Sequence, residues 1–133
     1  MIFTNFFYLS KKHRTFDTEH IKERLAITEA KPNAKTNFKI QSNIALYYMK
    51  LGEVKKALQI LKPLYDNYPN EYTIFANLGT AYELDGQLNK ALRLIKNGYQ
   101  INSESHFGSE WIHIKILEAK IKERSNPGWL KTH

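Results

Sequence analysis

"LGTAYELDGQLNKALRLI", residues 78–95, has a counterpart 34 positions upstream, "IALYYMKLGEVKKALQIL" at residues 44–61. Extending the alignment to 38–71 against 72–105 needs no gap. It gives nine identities: Ile40/Ile74, Asn43/Asn77, Tyr48/Tyr82, Gly52/Gly86, Lys56/Lys90, Ala57/Ala91, Leu58/Leu92, Lys62/Lys96 and Tyr65/Tyr99. Other pairs are like for like, among them Phe38/Tyr72, Ile44/Leu78, Ala45/Gly79, Val54/Leu88, Ile60/Leu94 and Leu61/Ile95. A fixed period in this range marks a supersecondary unit written twice and stacked.

Each unit reads as two helices. In the first unit Ile40, Ile44 and Tyr48 recur at helical spacing. Gly52 then ends the helix, because glycine takes the left-handed C′ position at no steric cost. A second stripe follows at Val54, Ala57, Leu58, Leu61 and Tyr65, and the chain turns again at "NYPN". The second unit repeats the plan with Ile74, Leu78 and Tyr82, the break "DGQ", then Leu88, Ala91, Leu92, Ile95 and Tyr99. Small residues at Ala45/Gly79 and Ala57/Ala91 mark where the paired helices must approach closely. Pro63 falls inside a second helix and is expected to kink its last turn.

The flanks read as half-units. "FDTEHIKERLAITEAKP", 16–32, is expected to be a helix capped by Asp17 or Thr18 and stopped by Pro32. It occupies the place of a preceding second helix. "HFGSEWIHIKILEAKIKER", 106–124, falls at the place of a third first helix. A terminal helix that covers a core face while meeting water outside suits its mixed composition. The organisation expected is therefore an N-terminal packing segment 1–15, a helix 16–37, repeats at 38–71 and 72–105, and a capping helix and tail at 106–133. Breaks are expected near 32–36, 52–53, 67–71, 86–87 and 102–106.

These residues resemble the tetratricopeptide repeat. Its pattern combines a large apolar residue, Leu-Gly, Tyr, Ala, an aromatic or aliphatic residue, a second Ala and a Pro. The second unit supplies Phe75, Leu78-Gly79, Tyr82, Ala91 and Ile95; the first supplies Ile44-Ala45, Tyr48, Ala57, Leu61 and Pro69. Gln41 departs at the large position, Leu64 and Gly98 depart at the second Ala, and Ser103 replaces the Pro. The C-terminal half is also similar to small bacterial proteins of this family that end in such a helix. The resemblance implies an all-α superhelix of antiparallel helix pairs, about two full repeats with capping helices. It implies a concave face, lined by first helices, that holds a peptide or a partner helix without catalysis. The family's groove positions fall here on Lys39, Ser42, Asn43 and Leu46, then on Thr73, Ala76, Asn77 and Thr80. Asn43 and Asn77, an amide in each unit, suit hydrogen bonds to an extended backbone.

Composition fits this reading and excludes others. The chain has 133 residues, enough for one domain, with 42% hydrophobic and 25% charged residues. It has no cysteine, which removes disulfides, thiolate catalysis and cysteine-ligated zinc. The net charge is +7, spread as +3 over 1–37, +2 over 38–105 and +2 over 106–133. Spread lysines are a solvated surface, so no nucleic-acid partner is expected. No apolar run approaches the roughly 20 residues of a membrane span. The start, "MIFTNFFYLSKKHRTF", is apolar but shows no basic n-region or cleavage site, so a signal peptide is not recognised and cytoplasm is the default compartment. Export is a property of many members of the similar bacterial group.

Motifs of catalysis are absent: no G-x-x-x-x-G-K-[ST], G-x-G-x-x-G, H-E-x-x-H or G-x-S-x-G occurs. The chain is therefore expected not to be an enzyme and to need no cofactor. The alternative is a metal-binding or enzymatic protein using His106, Glu110 and His113, which lie at i, i+4, i+7 and are zinc-compatible side chains. The competing reading of these three is a polar outer face on the last helix. The expected partner is another protein or peptide, and a homodimer is one way to lengthen a groove of two repeats.

Overall fold

Two glycines organise the molecule. Gly52 and Gly86 have φ of 82° and 84°, the left-handed region that side chains with a Cβ avoid. Each closes the same pattern at a helix C-terminus. Gly52 N–H donates to the Met49 carbonyl at 3.0 Å, and Glu53 N–H to the Tyr48 carbonyl at 2.8 Å. Thirty-four residues on, Gly86 N–H donates to Glu83 at 3.1 Å and Gln87 N–H to Tyr82 at 2.8 Å. Both are Schellman closures, and both start the next helix within two residues.

The computed structural model describes residues 11–101 and 110–132. Seven helices and no strand are found among the described residues: α1 Lys11–Glu29, α2 Phe38–Lys50, α3 Val54–Asn67, α4 Tyr72–Leu84, α5 Leu88–Ile101, α6 Glu110–Ser125 and α7 Trp129–Thr132. The fold is all-α. The chain divides into two compact units, Met1–Pro69 and Asn70–His133.

In the first unit, α2 packs on α1 and on α3. Asn37 caps α2, its side-chain oxygen accepting from the Lys39 and Ile40 amides at 2.9 and 3.2 Å. The core gathers Leu25 and Ala34 with Ile44, and Ile40, Tyr47, Tyr48, Leu51 and Ile60 pack on them. The Tyr48 hydroxyl donates to Glu29 at 3.1 Å, tying α2 to the end of α1. Phe38 and Tyr68 stack with centroids 4.5 Å apart, joining the start of α2 to the end of α3. The helix α3 passes through Pro63 and continues to Asn67, so the proline breaks one rung of the ladder without ending the helix.

In the second unit, α4 packs on α5, α5 on α6 and α6 on α7. Leu88, Ala91, Ile95 and Leu117 form the core, with Tyr82, Leu92, Ile114 and Ile121 against it. The close approach of α4 and α5 needs glycine twice. A Cβ on Gly79 would lie 2.6 Å from Ile95 Cδ1, and one on Gly98 would overlap three atoms of the Phe75 ring. This explains a departure from the repeat pattern: the large Phe75 and the missing methyl of Gly98 are one steric fit. Ala57 and Ala91 are both fully buried, as the register expects. Repeat equivalence extends to side chains, with Lys56 over the Tyr48 ring at 5.4 Å and Lys90 over Tyr82 at 5.6 Å.

The helix breaks at 30–37, 51–53, 68–71 and 85–87 agree with the expected ones within a few residues. The expected break at 102–106 lies outside the described residues, as does most of the segment 1–15. One expectation is corrected. The first helix begins at Lys11, so Asp17 and Thr18 lie within it rather than capping it. Nothing in "KKHRTF" breaks a helix, and a cap-type residue stops none by itself. The tail after α6 also folds: α7 is held by the Glu123 carboxylate, which accepts from the Gly128 and Leu130 amides at 2.9 and 2.8 Å. Those backbone bonds hold the Glu123 carboxyl below its ordinary pKa. Lys122 lies over the Trp129 ring at 5.1 Å.

Candidate functional site

The first helices were the expected contact surface, and the structure sorts their residues. On α2, Lys39 and Asn43 are exposed and Leu46 is half-buried. The three lie at i, i+4, i+7 and so share one side of the helix. On α4, Thr73, the equivalent of Lys39, is exposed.

Ser42, Asn77 and Thr80 are corrections. They are only 1%, 1% and 5% exposed, and Ala76 is buried too. Ser42 falls at i, i+3, i+7 with Ala45 and Met49, on the buried side of α2. On α4 every residue from Ile74 to Ala81 is buried, more than two turns, so that stretch has no free side. The Thr80 hydroxyl is satisfied within the helix, donating to the Ala76 carbonyl at 3.0 Å. Asn43 and Asn77, equivalent in sequence, are thus unequal in exposure, and the expected exposed pair reduces to Asn43.

The metal alternative concerns His106, Glu110 and His113. His106 and the side chain of Glu110 lie outside the described residues. Among the described residues no three His, Cys, Asp or Glu side chains are grouped to hold a metal ion. His113 is not on an outer polar face. It is 7% exposed, and its Nε2 lies 3.1 Å from Glu83 Oε2.

That contact belongs to a charged cluster the sequence reading missed. Glu83, near the end of α4, receives Lys120 Nζ at 2.6 Å on its other oxygen. Arg124, one turn further along α6, donates to the Gly86 carbonyl at 2.6 Å, in the closure that ends α4. Burial raises the Glu83 pKa, but hydrogen bonds from His113 and Lys120, with their charges, outweigh it, and the net shift is downward. The carboxylate is therefore an anchor, fixing α6 to α4. A signal was present in the sequence: Glu83 stands 34 positions after Met49, which is buried, so a carboxylate was written at a core position. Beside the cluster, Glu83, Leu88, Lys120, Glu123, Arg124 and Leu130 line an open depression. Its polar side chains are engaged, Lys120 with Glu83, Glu123 with the Gly128 and Leu130 amides and Arg124 with the Gly86 carbonyl, which suits structure rather than chemistry.

No helix of the described residues is long and apolar enough to cross a membrane. Comparison with protein-family models, with curated proteins and with solved structures finds no match to the chain.

Proposed function

We propose that the chain is a tetratricopeptide-type module that binds another protein, as a peptide or a helix, and carries out no catalysis. The observation that supports this is the repeated hairpin. Two helix pairs of one 34-residue plan share identical closures, buried small residues and cation–aromatic pairs. Such units stack to present first helices to a partner. In the first unit the side available is that of Lys39, Asn43 and Leu46: a cation, an amide and an apolar contact within two turns. Thr73 is the corresponding exposed position of the second. An exposed amide and a lysine read a partner's carbonyls and carboxylates, and a half-buried leucine adds the apolar part. The metal or enzyme reading, which needs His106, Glu110 and His113 together, is the weaker one, because His113 is already engaged by Glu83.

The test is affinity capture from the native organism with the parent chain and with a Lys39→Glu, Asn43→Ala, Leu46→Ala variant. A partner held by the parent and lost by the variant, with unchanged melting of the free chain, supports the proposal. A partner held equally by both, or product formed from a substrate, overturns it.

A further inference from the structure

The two repeats carry opposite charge around their first helices. Residues 30–52, which lead into α2 and run through it, hold four lysines and no Asp or Glu. The equivalent stretch 34 positions on, 64–86, holds Asp66, Glu71, Glu83 and Asp85 and no Lys, Arg or His. In that alignment Lys31, Lys35 and Lys39 stand against Tyr65, Pro69 and Thr73.

The fold ties the lead-in to α2. The Lys31 carbonyl accepts from the Ala34 amide at 3.1 Å, and the Asn33 carbonyl from the Asn37 amide at 3.0 Å, so the chain turns tightly between them. Ala34 is buried in the core of the first unit, and its carbonyl accepts from the Gln41 side chain in the first turn of α2. This gives Gln41, a departure from the repeat pattern, a task of its own. At the same position of the second unit Phe75 instead fills the space left by Gly98. Lys35, next to the pinned Ala34, is thereby held beside the first turn of α2, which carries Lys39.

Lys31, Lys35 and Lys39 are exposed, and among the described residues none of them lies within ion-pair distance of a carboxylate. The carboxylates at either end of the stretch are engaged, Glu29 by the Tyr48 hydroxyl and Glu53 by Lys56. Lys50, the fourth lysine, lies at the far end of α2 and has an interaction of its own. Lys39 does not serve the helix: a cation in the first turn is opposed by the helix dipole, and α2 has no acidic residue there to offset it. Three like charges within one short corner favour an anionic partner.

We infer that the surface of Lys39, Asn43 and Leu46 extends to Lys31 and Lys35 and takes an acidic peptide segment of another protein. Its Asp or Glu side chains meet the three lysines, next to the part that meets Asn43 and Leu46. This rests on the interaction reading proposed above and adds the chemistry of the partner. The second repeat, with Thr73 and four acidic residues, offers no such seat, so the first repeat alone reads the acidic stretch. The surface suits a peptide better than a nucleic acid, because Leu46 supplies an apolar contact and no aromatic residue of 30–52 is exposed for a base to stack on.

Peptide display tests the inference. The immobilised full chain is panned against a library of random peptides, each joined to its carrier at both ends so that no free terminus is offered. The expected result is enrichment of peptides with clustered Asp or Glu, whose labelled synthetic copies bind saturably by fluorescence anisotropy. That binding weakens at least tenfold with Lys31→Glu/Lys35→Glu, weakens with added salt, and drops with Asn43→Ala. Panning of the Lys31→Glu/Lys35→Glu variant enriches Lys and Arg instead. Both lysines are exposed, so far-UV circular dichroism melting of the double variant matches the parent. Enriched peptides with no acidic excess, held equally by parent and double variant but lost with Asn43→Ala, overturn the inference and leave the interaction reading standing. Failure to enrich any peptide overturns it, as does tighter binding of a single-stranded RNA oligonucleotide through the same lysines.

Discussion

Replacing Gly98 by alanine isolates the steric fit that joins α4 to α5. In an exposed helix interior the change is favourable by about 1 kcal/mol, because glycine surrenders more backbone freedom than alanine. Here the added Cβ would lie 2.7 Å from Phe75 Cδ2 and closer still to Cε2 and Cζ, well inside contact distance. The Phe75 ring is itself buried and cannot swing into solvent. Overpacking of this kind costs about 1–3 kcal/mol, with three ring atoms involved placing it towards the upper end. The net expectation is a loss of about 1–2 kcal/mol. Urea unfolding followed by far-UV circular dichroism reads it as a lower midpoint with unchanged slope. The companion variant Phe75→Leu removes the clashing ring. Combined with Gly98→Ala it should cost less than the sum of the single changes, a coupling of roughly 1–2 kcal/mol. If Gly98→Ala instead stabilises the chain, as at an open helix position, the fit of Phe75 into the missing methyl is not a determinant of the fold.

Other perturbations address separate links. Leu117→Ala empties the centre of the α5–α6 core, where the side chain is fully buried, and should lose about 2–5 kcal/mol in the same assay. Ala57→Trp and Ala91→Trp should each cost about 1–3 kcal/mol or more of stability, and a parent-like melt of both would show the second-helix register to be wrong. Glu83→Gln removes the charge that anchors α6 and should cost about 1–3 kcal/mol at neutral pH. Since the folded-state pKa of Glu83 is lowered, its contribution is present above the unfolded carboxylate pKa and is lost as pH falls through the folded value. The difference between parent and variant should therefore shrink on strong acidification, measured by unfolding at neutral and at acid pH.

How far the sequence speaks differs from element to element. The hairpins are legible because every cue at 44–61 recurs at 78–95: stripe, glycine and small contact residue agree, and the turn geometry follows from Gly52 and Gly86 alone. The exposure of single residues is less legible. Asn43 and Asn77 occupy one register position, yet α4 is enclosed over its middle turns while α2 buries only Ser42, Ile44, Ala45 and Met49. A repeat alignment records local periodicity and not how much surface each copy surrenders. His113 was hidden for a similar reason. The helix α6 has apolar residues all round, so no polar side stands out, and the partner that draws the ring inward lies 30 residues away on α4. The short α7 depends on the Glu123 carboxylate meeting two amides of a later turn, and a four-residue helix leaves no period to read.

Amide hydrogen exchange of the full chain, with and without a partner obtained by affinity capture, tests the interaction reading most directly. Bound partner should slow exchange over 39–46, the stretch of α2 that carries Lys39, Asn43 and Leu46, with a smaller effect around Thr73. Slowing confined to 53–66 and 87–97, where Lys55, Lys56, Lys90 and Arg93 lie on the second helices, would contradict the account and make the basic outer surface the site of contact.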